Sequence, residues 1–298
     1  MRDKRQGGTS RRAAEASASA RTERVVRPIE QGDWNMAYLF PDEVAAARAR
    51  SGLVILPLGL IEWHGPHMAM GCDNLIAHAV ARAVARELRC PYWPPLFTGT
   101  ERERPPAMLK SIGFTGEEFI EGMDFPANSV ASGYYRDEVF AAVVRDTLNI
   151  LLRRMKFRRV LIINGHGAVN QKEALDRLCG EFNAGLGRGK RVLWVYPGSP
   201  AALRRQSIGH ADAAEASVLA ATWPGCLDLS KLPRRGRLKN TAFAVVDSET
   251  FDLSPTRDHT VRARHDPRIH ADAEEGRRYL TADVKRIVRL VRQSLLGK

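Results

Sequence analysis

Glu62, His64 and Asp73 stand close together in Gly59-Leu-Ile-Glu62-Trp-His64-Gly-Pro-His67-Met-Ala-Met-Gly-Cys-Asp73. Two carboxylates and an imidazole are a donor set suited to a divalent cation. In extended backbone, side chains two residues apart leave on the same side, so Glu62 and His64 can converge on one ion, and Asp73 supplies a further anionic oxygen. A second histidine, His166, lies in Asn164-Gly-His166-Gly-Ala-Val-Asn170, where the glycines let backbone and a metal or substrate approach closely. A third group is Gly209-His210-Ala-Asp212-Ala-Ala-Glu215-Ala-Ser217. There an imidazole can shuttle protons and a carboxylate can bind metal. A lone histidine after a strand is more often a hydrogen-bonded structural residue. Glu-x-His, a downstream Asp and another His together form a mixed nitrogen and oxygen set that suits Zn, Mn or Fe, not a thiolate structural site.

The elements that must position these groups follow from hydrophobic patterning. Leu53-Val-Ile-Leu-Pro-Leu58 and Arg159-Val-Leu-Ile-Ile163 read as buried strands, and the first two histidine motifs follow them directly. Open α/β sheets bind ligands at such carboxyl ends. From about Pro41 strand-like and helix-like runs alternate, which predicts an α/β fold with a mainly parallel sheet and helices on both faces. Helices are expected over 42–50, 74–88, 135–155, 171–184 and 211–221 and near the C-terminus at 284–295, with Asp73 as the N-cap of the second. Further strands are expected at 92–97, 191–196 and 242–246. The Pro- and Gly-rich stretch 98–133 lacks periodicity; with 196–210 it is expected to wall the pocket.

The chain has 298 residues and a net charge of +12, with 44% hydrophobic residues. That is enough for one α/β core, expected over 29–298. Residues 1–28 carry eight basic residues against three acidic ones, net +5, and few large apolar residues. A disordered basic N-terminal extension is the reading. Together with Arg234-Arg-Gly-Arg-Leu-Lys239 it leaves open a non-catalytic nucleic-acid-binding protein, which no aromatic-interleaved surface supports. Cys72, Cys90, Cys179 and Cys226 lack paired spacing, which points to a reduced cytoplasmic setting. No apolar run approaches the roughly 20 residues of a membrane-spanning helix.

These motifs together resemble the creatininase (creatinine amidohydrolase) family, whose pattern P-x-G-x-x-E-x-H-G-P-H, G-x-D, N-G-H-G and G-H-A-x-x-x-E-x-S is met by Pro57 to His67, Gly71-Cys-Asp73, Asn164 to Gly167 and Gly209 to Ser217. The resemblance covers roughly 35–280. It implies a three-layer α/β/α fold and a metal-dependent amidohydrolase with two divalent ions, Zn, Mn or Fe. Asp73 would bridge them, with Glu62 and His166 on one ion and His64 on the other. Creatininases place a glutamate two residues after the N-G-H histidine, where this chain has Ala168; Glu215 is the expected replacement ligand. Val169, Ala216 and Cys72 are further departures, so this is a divergent member and creatinine is not the expected substrate.

The resemblance also implies that His210 passes a proton to the leaving group while metal-activated water attacks a carbonyl. Hydrolysis of a cyclic or linear amide is the first reading, and ring opening of a lactone or inositol-derived cyclic ketone the alternative. A homo-oligomer is implied too, rings of six being common in the family. Elsewhere plainer roles are expected. His67 orients its loop, His78 is a surface or core residue, Cys72 is a small buried side chain, and Glu101-Arg-Glu-Arg104 is a solvated loop.

Overall fold

The structure is a computed structural model that describes residues 26–187, 189–198 and 209–297. Of the basic extension only Val26 to Pro28 fall within it. Arg27 pairs with Glu43, Nη1 to Oε1 at 2.6 Å, and lies over the Phe40 ring.

Four strands form one parallel sheet: β1 (Leu53–Gly59), β2 (Leu96–Phe97), β3 (Arg159–Asn164) and β4 (Arg191–Val195), in the order β2-β1-β3-β4. The register pairs Leu53 with Arg159 and Leu58 with Asn164 across β1 and β3. The chain leaves β1 toward β2 on one side and later returns to β3 on the other. The carboxyl ends of β1 and β3 therefore flank the point where strand order reverses, the place where such sheets open a crevice.

Helices cover both faces: α1 (Pro41–Ser51), α2 (Cys72–Leu88), α3 (Pro106–Ile112), α4 (Asp137–Asn149), α5 (Val169–Gly185), α6 (Ala213–Thr222) and α7 (Ala273–Val291). Every residue of β1 is buried. Val54, Leu56, Leu58, Val160 and Ile162 face α4 and α5 with Phe140, Val144, Leu175 and Leu178, whereas Leu53, Ile55, Leu161 and Ile163 face α2 and α7 with Val80, Val84, Ile287 and Val291. This two-sided alternation explains why the strands read as continuous apolar runs. Each fully buried Leu or Ile contributes about 1.5–3 kcal/mol through removal from water. The three-layer α/β/α architecture expected from the sequence is the one observed.

Several local expectations need correction. Asp73 is not the cap of α2: Gly71 holds that position, and Asp73 lies in the first turn with its carboxylate turned inward. The strand expected at 92–97 shrinks to two residues, because Pro94 and Pro95 have no N–H to give a ladder and Tyr92 makes only isolated bridges to Asn35 and Ile55. No strand forms at 242–246. Asn240–Phe243 is one helical turn, and Val246 makes only an isolated antiparallel bridge to His210. The long helix expected to 155 ends as α at Asn149 and continues through 150–154 as a wider π turn.

Candidate metal centre

Close approach of backbones brings the three sequence motifs together. A Cβ on Gly165 would lie 2.1 Å from the Asp73 carbonyl oxygen, and one on Gly59 2.4 Å from the Asn74 nitrogen. Only glycine lets the ends of β1 and β3 press against the start of α2 this tightly. Beyond β1 the chain turns at Gly65, φ +71°, so that His64 faces inward and His67 Nε2 sits 3.2 Å from the Ala211 carbonyl. His67 thus ties the first motif to the third, which is the loop-orienting role expected of it. Burial pushes its pKa down to about 4, so it makes that bond as a neutral ring.

Asp73 sits between the two histidines. Its Oδ1 lies 3.2 Å from His64 Nε2 and its Oδ2 2.9 Å from His166 Nδ1. Glu62 Oε2 lies 3.4 Å from His166 Nδ1 and 3.9 Å from His64 Nε2. Glu215 Oε2 lies 3.7 Å from His64 Nε2 and accepts from the Ala211 N–H at 2.7 Å. Glu62, His64, His166 and Asp73 are buried. Two overlapping groups, Glu62 with Asp73 and His166, and Glu62 with His64 and His210, each hold their ligand atoms within 4.8 Å of one another; a third joins His64, Cys72 and Glu215.

The electrostatics of this cluster ask for a cation. Burial alone would push the His64 imidazolium pKa down, but Asp73, then Glu215 and Glu62, outweigh it and lift the value to about 10. His166 is likewise raised against burial by Glu62 and Asp73. Burial lifts Glu215 to about 8 despite the favourable field of His64, with Asp73 adding repulsion. Without a metal, three carboxylates this crowded are neutralised by protons on their neighbours. A divalent ion supplies the same compensation with nitrogen and oxygen ligands. Two further observations fit. His64 Nδ1 donates to the Glu62 carbonyl at 3.2 Å, so Nε2 is the ring atom turned toward the carboxylates and, once deprotonated, the one free to ligate a metal; that buried Nε2 makes no aligned hydrogen bond. The residues present therefore fit a bound divalent metal.

His210 is held differently. Its backbone is bridged to Val246 in both directions, and its Nε2 donates to the Trp63 carbonyl at 2.7 Å. The free lone pair is then on Nδ1, 3.9 Å from Glu62 Oε2. Burial, reinforced by His64, pushes its pKa down to about 3. The next residue, Ala211, has φ +53°, a left-handed conformation that costs a non-glycine residue about 1 kcal/mol or more. Asp212 caps α6 through the Ala214 and Glu215 N–H groups, so Glu215 leaves the first turn of that helix toward His64.

All five residues expected to hold metal meet in this cluster, and His210 borders it. Two contributors were not foreseen. Glu101, read as part of a solvated loop, is buried, with its carboxylate on Arg104 at 2.8 Å and 3.9 Å from His166 Nε2. Tyr134 donates its hydroxyl to Glu62 Oε1 at 2.6 Å and receives the Met123 N–H at 2.9 Å. That bond fixes which Glu62 oxygen faces the histidines. A signal for Glu101 existed: it follows β2 just as Glu62 follows β1 and His166 follows β3. His78, by contrast, lies away from the cluster against Tyr92, Nε2 to the hydroxyl at 3.1 Å.

Residues 37–291 match the family model for creatininase, described as creatinine amidohydrolase. A creatinine amidohydrolase of Pseudomonas putida is 27% identical over 202 residues, 62% of this chain and 71% of that protein. A crystal structure of creatininase superposes with a TM-score of 0.63 at 22% identity, covering 88% of this chain and 98% of that one. A manganese creatininase gives 0.62 at 23% identity, covering 88% and 99%. A mutant creatininase of Zn-Zn type gives 0.63 at 22%, covering 88% and 98%. At these identities the structural likeness speaks for the fold.

Proposed function

The chain belongs to the creatininase family of metal-dependent amidohydrolases, and from that premise we propose that it hydrolyses an amide C–N bond at a two-metal centre built on Asp73. The observation that carries this reading is the pair of Asp73 oxygens, one within 3.2 Å of His64 and the other within 2.9 Å of His166. Glu62, Asp73 and His166 would hold one ion, and His64, Asp73 and Glu215 the other. The metals, when bound, supply Lewis acidity and lower the pKa of water enough for attack at neutral pH. Zinc or manganese suits this donor set, and relatives with each are known from their structures.

The chain's own residues do the rest. His210 borders the ligand set, with its Nδ1 3.9 Å from Glu62 Oε2. It is placed to take a proton within the site and return it to the departing nitrogen. Trp63 and Val246 hold the ring in that position. Tyr134 fixes the Glu62 carboxylate. With alanine at position 168, Glu215 completes the second set of ligands. An amide is favoured over a lactone or cyclic ketone because the relative found by sequence is itself an amidohydrolase. The departures at Ala168, Val169 and Ala216 argue against creatinine itself.

No helix among the described residues is long and apolar enough to cross a membrane. Free, buried Cys72, Cys90 and Cys179 support a reducing cytoplasmic setting, and a homo-oligomer is expected from the family. The functional test is metal analysis of purified protein combined with hydrolysis of cyclic amides, formamides, lactones and inositol-derived ketones. Amide turnover that is lost on chelation and restored by zinc or manganese is the expected result. Full activity in metal-free protein would end the reading.

A further inference from the structure

We propose that the pocket takes a substrate bearing a carboxylate remote from its scissile bond, and that Lys172 binds that carboxylate. This inference rests on the amidohydrolase reading and names its substrate class. A cavity of about 100 Å³ connects the proposed metal ligands with a wall that includes Arg104, Lys172 and the N-terminus of α5. Arg104 already has its counter-ion: its guanidinium donates to Glu101 and to the Gly122 carbonyl, each at 2.8 Å. Lys172 does not. It is half-buried, and among the described residues no carboxylate comes within ion-pair distance of its ammonium. Its nearest ring partner is Tyr196, with the nitrogen 5.9 Å from the centroid. Burial lowers its pKa, against the field of Glu101.

A partly desolvated ammonium without a counter-ion is costly unless something binds it. The surroundings select an anion. Lys172 stands in the first turns of α5, a helix of 17 residues with no acidic residue in its first turn and no side-chain cap. Ala168 is the N-cap, and it lines the same cavity with Gly167 and Val169. The positive end of the helix and the ammonium therefore face one small chamber, and a carboxylate there gains from both. Met108, Met123 and Phe251 furnish the apolar part of the wall, suited to a short hydrocarbon spacer between the carboxylate and the amide.

Hydroxamates that anchor on metal through one end test this without knowledge of the substrate. Succinic and glutaric monohydroxamates carry a free carboxylate; butyrohydroxamate and valerohydroxamate are neutral counterparts. Binding is measured calorimetrically to the zinc-loaded full chain. In at least one length the carboxylate form should bind about tenfold tighter, the effect of one charge-assisted hydrogen bond. Lys172→Met should abolish that preference with the affinity for the neutral hydroxamate unchanged, and Lys172→Arg should retain part of it. Lys172→Gln replaces the first variant if Lys172→Met does not fold. Equal affinity of charged and neutral forms at both lengths, or a preference that survives loss of the ammonium, overturns the proposal. If no hydroxamate binds, the metal centre itself fails and this inference falls with it.

Discussion

The two strand-end loops and the segment 98–134 both line the centre, yet they are held by different physics. Glu62, His64 and His166 follow parallel strands buried along all or nearly all of their length, whose register is set by the β1 and β3 ladder. Their positions are tied to the core, so moving them means disturbing the sheet. The segment 98–134 has one short helix and a small apolar cluster of its own, in which Leu109, Ile112, Ile120, Met123 and Phe125 pack with Trp63, Val246 and Phe251; it meets the centre through side-chain bonds, Glu101 to Arg104, Tyr134 to Glu62, and Asp124 to the Ser132 hydroxyl, which in turn accepts the Trp63 N–H. Ligand geometry rests on the sheet ladder, and the pocket wall on a separate small apolar cluster and a few polar contacts. Chemistry can thereby stay constant while the wall changes the substrate.

Breaking the strand-end side should have the largest effect. His166→Ala removes a ligand candidate from a rigid loop, and kcat/KM should fall by at least a factor on the order of a thousand, with folding retained by circular dichroism. Near-normal turnover would place the chemistry elsewhere. Breaking the wall side should cost less. Tyr134→Phe frees Glu62 Oε1 and also the Met123 N–H, and metal affinity measured by chelator competition should drop about 10- to 100-fold. An unchanged affinity would show that the hydroxyl does not orient Glu62.

Glu101→Gln should be milder in metal affinity but visible in stability. It leaves the Arg104 guanidinium short of a buried counter-ion, so denaturant unfolding should show a loss of about 1–3 kcal/mol. No loss would mean that Arg104 finds water instead. The smallest effect is expected for His78→Gln, whose ring packs against Tyr92 and Trp223 and contacts none of the ligand candidates. Activity and metal content should match the parent, and a fall in either would break the division between site and scaffold.

A pH dependence separates the two regions further. His64 keeps its proton in the metal-free protein because its pKa is about 10, and His166 is raised as well. A ligand must lose that proton before it can bind metal. The sign follows: metal affinity rises with pH, and binding at pH 7 releases protons, which calorimetry in buffers of different ionisation enthalpy detects.

Legibility in the sequence divides along the same line. The strands at 53–59 and 159–164 are buried on both faces, so they read as unbroken apolar runs, and the ligand candidates fall directly after them. The wall has no such periodicity. Glu101 looks like part of a charged surface loop, since nothing local shows that Arg104 and the end of β2 fold it inward. Tyr134 reaches Glu62 across 72 residues of chain, a contact no local pattern encodes. The apolar run at 242–246 misleads for the opposite reason: Ala244, Val245 and Val246 are buried, but they pack in two small clusters, with Leu109 and Ile112 and with Ala216 and Leu219, and pair only through His210. Asp73 satisfies the residue preference of a helix cap, yet the inward pull of two histidines goes with a place inside the first turn. Of the expected pocket wall at 196–210, residues 199–208 lie outside the described residues.

The proposed two-metal centre turns on Asp73, and the most direct measurement counts bound metal in purified, zinc-loaded protein and in Asp73→Ala after equal dialysis. The parent should retain about two ions per chain and the variant none, since Asp73 is shared by both ligand sets. A variant that folds and still retains two ions would contradict the account.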